Sequence, residues 1–164
     1  MVQPSPLPSF ERLHELFSYC PKTGLLTRKK GGQGIKPGKP VGNADGGYLR
    51  VYFDGRKYHV HRIIWKMQTG DEPLVIDHVD RNGLNNAWEN LRAADCRDNS
   101  ANRVKRRGKY LLGARYTNRP GLKRPWWSMI ARDYLGAFAT EQEAHEAYVA
   151  EHIKRYGEFS PHVK

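Results

Sequence analysis

Asp77 and His78 stand side by side, Asn90 follows twelve positions after His78, and Asn99 comes nine further on. A carboxylate, an imidazole and two carboxamides thus recur at uneven intervals among Asn- and Gly-rich turns. Such spacing fits no single face of a helix or strand. It fits a strand–turn–strand–helix unit that gathers the groups in space. The Asp77 carboxylate and the Asn99 amide oxygen are hard donors, suited to Mg²⁺, which takes few protein ligands and keeps its waters and substrate phosphates. In an extended strand His78 points away from Asp77, so it can face a water rather than the cation. Imidazole titrates near neutrality and can take that water's proton. Asn90 can hold the ring in one tautomer. A base, a cation and an ordered water suffice to hydrolyse a phosphodiester.

The flanking sequence supplies elements to position these groups. Tyr48–Phe53 and Arg56–Val60 around Asp54-Gly55 read as a β-hairpin. A helix from His61 to about Thr69 follows, ended by Gly70. His59 and His61 are assigned structural roles ahead of that helix. Residues 75–94 read as two strands around a turn, in which Asn82, Asn85 and Asn86 are turn formers and Asp80 a turn cap. Asp95 is expected to cap a helix through about Val104, placing Asn99 one turn in. Upstream, Ser9 caps a helix from about Phe10 to Ser18. Tyr19–Gly24 reads as a loop, Leu25–Arg28 as a short strand, and Lys29–Gly47 as an exposed loop. Lys29, Lys30, Lys36 and Lys39 of that loop make either a phosphate-tracking arm or a merely solvated segment.

DHVDRNGLNNAWENLR resembles the HNH, or ββα-metal, nuclease motif, in the branch where Asn replaces the last His, as in homing endonucleases. The likeness covers about residues 47–103. It implies that His78 is the general base, that Asp77 and Asn99 hold one Mg²⁺ or Mn²⁺, and that Asn90 supports the site.

The chain has 164 residues and a formal net charge of +11. Such an excess of Lys and Arg points to a polyanion, with double-stranded DNA the first choice and an acidic membrane surface the second. No apolar run approaches the ~20 residues needed to span a bilayer. The N-terminus lacks the basic-then-apolar pattern of a secretion signal, so a cytoplasmic location is expected. Cys20 and Cys96 are isolated, which does not support a zinc knuckle.

After the basic segment that includes Arg103, Lys105, Arg106 and Arg107, itself suited to phosphates, the pattern changes. Leu112–Tyr116, Trp126–Arg132 and Tyr134–Phe138 read as strands. Thr140-Glu141-Gln142-Glu143 reads as a capping box opening a helix to about Tyr156. GARY, WSMIAR, YLGAF and EQEAHEAY resemble an AP2-type DNA-binding domain over about residues 109–159. That likeness implies a three-stranded sheet docking in the major groove, with Arg115, Trp127 and Arg132 as contacts. The second hairpin turn is very short. One of Trp126 and Trp127 should pack under the sheet and its neighbour point outward; Trp127 is favoured as the outward one.

The expected architecture is α+β: residues 1–46 as an N-terminal helix and basic loop, 47–104 as an HNH nuclease domain, 105–109 as a linker, and 110–159 as an AP2-like sheet on one helix. The expected function is a metal-dependent, homing-type DNA endonuclease of the kind found in bacteriophage genomes, acting in a bacterial host's cytoplasm. With one site per chain, a monomer should nick, and a double-strand break needs two protomers on DNA. The alternative is a DNA-binding regulator carrying an inactive nuclease module.

Overall fold

Ser9 accepts a hydrogen bond from the backbone N–H of Arg12 and so starts helix α1, Phe10–Leu16. In the computed structural model, which describes residues 6–31, 36–95, 101–102 and 108–163, α1 stops two residues short of the expected Ser18. Phe17 and Ser18 are extended instead. Strand β1, Phe17–Cys20, pairs antiparallel with β2, Leu25–Arg28, so most of the expected Tyr19–Gly24 loop is a hairpin with its turn. Burial explains the switch: Phe17 is fully buried and packs edge-on against Phe53 at 5.2 Å.

The expected 29–47 loop contains a further strand, β3, Asn43–Asp45, which pairs with β4, Tyr48–Phe53. β4 pairs in turn with β5, Arg56–His59, across the Asp54-Gly55 turn. Both turn residues have positive φ, 49° and 74°, as two-residue hairpins of this twist demand. The resulting sheet has the order β3-β4-β5. Helix α2, Val60–Thr69, follows without a loop and ends at Gly70. Its Val60, Ile63, Ile64 and Met67 are buried. They share one core with Leu13, Leu16, Phe17, Leu26, Val51, Phe53, Ile76 and Leu91. Residues from the N-terminal helix to Leu91 therefore fold around a single apolar centre.

Strands β6, Val75–His78, and β7, Leu91–Ala94, form a separate antiparallel pair, with a 3₁₀ turn, Trp88–Asn90, leading into β7. Most of the helix expected after Asp95 lies outside the described residues, and with it Cys96 and Asn99.

Backbone contacts divide the chain into two units, Met1–Asn99 and Ser100–Lys164. The second holds strands β8, Ala114–Tyr116, β9, Trp126–Ile130, and β10, Asp133–Phe138, in the order β10-β9-β8. Helix α3, Glu141–Tyr156, packs on all three strands. The capping box is present: the Thr140 hydroxyl accepts from the Glu143 N–H, and the Glu143 carboxylate accepts from the Thr140 N–H. Ser128 and Ile130 are buried on the helix side of β9. Among the described residues no helix is long and apolar enough to cross a membrane.

Candidate active site and DNA-facing surface

Register places Asp77 opposite Arg92 and His78 opposite Leu91. Because neighbours on a strand face opposite ways, the two side chains meet different surroundings. The Asp77 carboxylate is buried, and its Oδ2 accepts from Arg92 Nε at 2.9 Å and Nη2 at 2.8 Å. Both bonds run to one oxygen, so the guanidinium orients the carboxylate. The His78 ring is buried among aromatic rings: His61 stands edge-on to it at 5.2 Å, and Tyr48 lies at 5.8 Å.

The loop from β6 to β7 is wound around Asp80. Its Oδ1 accepts from the Asn82 N–H at 2.8 Å and from Asn90 Nδ2 at 2.9 Å, and its Oδ2 from Asn85 Nδ2 at 2.7 Å. Burial alone would push the Asp80 carboxyl up, but these bonds together hold it below the usual range. Asp80 therefore caps the turn, as its sequence context suggests.

Asn90 is placed differently from the expectation. Its Oδ1 accepts from the Asp80 N–H at 2.9 Å, and its Nδ2 donates to Asp80 and to the Asn85 carbonyl at 2.8 Å. Both ends of that amide are committed to the loop, so it does not steady the imidazole directly. The amide beside the imidazole is Asn86, whose Oδ1 lies 3.4 Å from His78 Nε2. Asn86 Nδ2 donates to the Leu84 carbonyl at 3.2 Å, which fixes the amide's orientation and points its oxygen at the ring. An amide oxygen only accepts, so Nε2 is the donor in that contact. Tyr19 anchors this arrangement by donating its hydroxyl proton to the Asn86 carbonyl at 2.8 Å; burial raises that phenol to about 12. Asn86 was legible only as a turn former, because its neighbour across the loop is set by the winding around Asp80.

Burial drives the His78 imidazole below its ordinary pKa, opposed by the Asn86 bond and by the Asp80 and Asp77 charges. A buried neutral ring is the form a general base needs. His61 and His59 are also held neutral-leaning, chiefly by burial, His61 down to about 3. The rings of both histidines pack against Tyr48, and His61 also packs against His78.

Residues 58–101 match the HNH endonuclease family model. The match runs from the end of β5 through α2, β6 and β7 and supports an HNH nuclease module acting on nucleic acid. No curated protein and no solved structure matches the chain.

For a divalent cation, the donor chemistry fits in kind: Asp77 brings a buried hard oxygen on the strand that carries His78. The described residues hold no group of three or more His, Cys, Asp or Glu in reach of one ion, and Mg²⁺, which leans on water and phosphate, does not require one.

In the second unit, register puts Arg115 opposite Trp127 and Trp127 opposite Ala137. Alternation sends these three to the face away from the buried Ser128 and Ile130. The Arg115 guanidinium lies 5.1 Å over the Trp127 ring, a cation–π contact. Trp126 instead clusters with Tyr110 and Tyr116. Arg132 occupies the two-residue turn between Ile130 and Asp133, beside Ala131 at φ 53°. Arg103, Lys105, Arg106 and Arg107 lie outside the described residues. Of the loop lysines, Lys29 donates to the His14 carbonyl at 2.7 Å and so serves the end of α1.

Proposed function

We propose that the chain is a metal-dependent DNA endonuclease of the homing type that hydrolyses phosphodiester bonds, one strand per site. The observation that carries this reading is the buried His78 ring next to Asp77, with its Nε2 set against Asn86, inside the stretch that matches the nuclease family. The His78 imidazole takes the proton of the attacking water. Asp77, oriented by Arg92, and Asn99 would hold one Mg²⁺ or Mn²⁺. The cation, when bound, neutralises charge on the phosphate and the leaving 3′ oxygen. Asn90 serves indirectly, by fixing the loop that carries Asn86.

The second unit is proposed as an AP2-type holder of duplex DNA, through Arg115, Trp127 and Arg132, with Arg103, Lys105, Arg106 and Arg107 on phosphates. Its three strands on one helix and the exposed Arg115 over the half-buried Trp127 support this reading.

A regulator with an inactive nuclease module is the second reading, favoured by one observation: Arg92 already occupies Asp77 Oδ2. Supercoiled plasmid with Mg²⁺ separates the two. The endonuclease nicks it, and Asp77→Ala removes both the nicking and its Mg²⁺ dependence. Plasmid that is shifted on a gel yet stays supercoiled would establish the regulator.

A further inference from the structure

Alternation along β4 sends Leu49, Val51 and Phe53 toward the core and Tyr48, Arg50 and Tyr52 the other way; Val51 and Phe53 are buried, while Tyr52 is 55% exposed. Register adds His59 beside Arg50, Lys57 beside Tyr52 and Asp45 beside Tyr48 on that outer face. The face is contiguous with the candidate active site. The Tyr48 ring touches His59, His61 and His78, and the backbone of Gly47 and the ring of Tyr48 abut Gly83 of the β6–β7 loop. A groove of about 340 Å³ runs beside Asn43, Arg50 and Tyr52.

The charges there are specific. Arg50 Nη1 and Lys57 Nζ converge on a single oxygen, Asp45 Oδ2, at 3.3 and 3.0 Å. Two cations thus already cradle one anionic oxygen on the open side of the sheet. The Lys57 bond and the Arg50 charge hold the Asp45 carboxyl below its usual range. Among the described residues, only Nη1 of the Arg50 guanidinium is hydrogen-bonded, which leaves Nη2 for a second acceptor. Successive outward residues of a strand are ~6.6 Å apart, so Tyr48, Arg50 and Tyr52 form a straight row ~13 Å long leading from His78.

We infer that the outer face of β3-β4-β5 is a track for the DNA sugar-phosphate backbone flanking the bond to be cut, with Arg50 and Lys57 on phosphates, Tyr52 against a sugar or base, and Asp45 as an internal anion that the DNA displaces. The choice of occupant rests on the nuclease reading. Charge complementarity and continuity with His78 commit the face to DNA.

The test is full-length protein titrated into a labelled duplex without metal, from 50 to 200 mM salt. Arg50→Gln with Lys57→Gln should weaken binding on the order of tenfold and flatten the salt slope by about 2, since each phosphate contact contributes about 0.9. Asp45→Asn, which frees both cations, should tighten binding and keep the wild-type slope or steepen it. Tyr52→Ala should weaken binding with the slope unchanged. Wild-type affinity and slope in the double variant, with an unchanged melting temperature, would overturn the track, and so would Asp45→Asn binding more weakly than wild type. Tighter binding of an RNA duplex than of DNA would overturn the occupant. His78-dependent cleavage that survives an unaltered affinity would sink the track alone. Binding that depends on Arg50 and Lys57 in a protein that never cleaves would uphold the track and sink the nuclease.

Discussion

Asn86 and Asn90 sit four residues apart in the same loop and do different work. One aims its oxygen at the imidazole; the other ties the loop through Asp80 and Asn85. Asn86→Ala should lower the cleavage rate about 10- to 100-fold, the usual effect of losing a group that orients a catalytic one, with DNA affinity kept. Single-turnover rates beside binding titrations would check it, and a matching loss of affinity would count against the assignment. His61 gives a prediction about stability. Its folded pKa of about 3 lies below the ordinary 6.5, so between those values the unfolded chain binds the extra proton. Stability therefore rises with pH across that window and is lost as pH falls through it, by up to about 1.4 kcal/mol per unit. Urea unfolding at pH 7 and pH 5 should show that loss shrinking in His61→Phe; an equal loss in both proteins would refute the buried neutral ring. The strand that carries Asp77 and His78 and the Asn-rich turn after it were legible, because each rests on local signals. Which Asn faces the ring was not legible, since that depends on how Asp80 gathers the loop.

At the scale of elements, strong local signals survived and tertiary packing moved the borders. The Asp54-Gly55 hairpin, the Gly70 stop and the Thr140 capping box were readable because each is fixed by a few neighbouring atoms. Phe17 was read as helical and is a strand residue, because burying its ring against Phe53 outweighs local preference. β3 was hidden in a Gly- and Lys-rich stretch whose partner, β4, supplies the pattern. The loop's closeness to the sheet also went unread. A Cβ on Gly83 would come within 2.4 Å of the Gly47 carbonyl and 2.6 Å of the Tyr48 ring. Gly83→Ala should thus push the loop off the sheet and cost about 1–3 kcal/mol. Denaturant melts would show it, and an unchanged midpoint would mean that the loop does not rest there.

On the scale of the whole molecule, a net charge of +11 is shared by two units with distinct tasks in the proposed scheme, cutting in one and holding in the other. The holding role predicts that Arg115→Ala or Trp127→Ala weakens duplex binding by about 1–3 kcal/mol. The melting temperature should stay put, because the pair lies on the face away from α3. Titration of a duplex beside a thermal melt checks both halves, and undiminished binding would remove that face from the DNA contact. The scheme as a whole stands on one imidazole. The most direct measurement is the rate at which His78→Ala nicks supercoiled plasmid with Mg²⁺, taken beside its affinity for the same DNA. The proposed mechanism predicts that nicking disappears while affinity stays within about twofold of wild type. Nicking at the wild-type rate, or loss of binding along with cleavage, would contradict it.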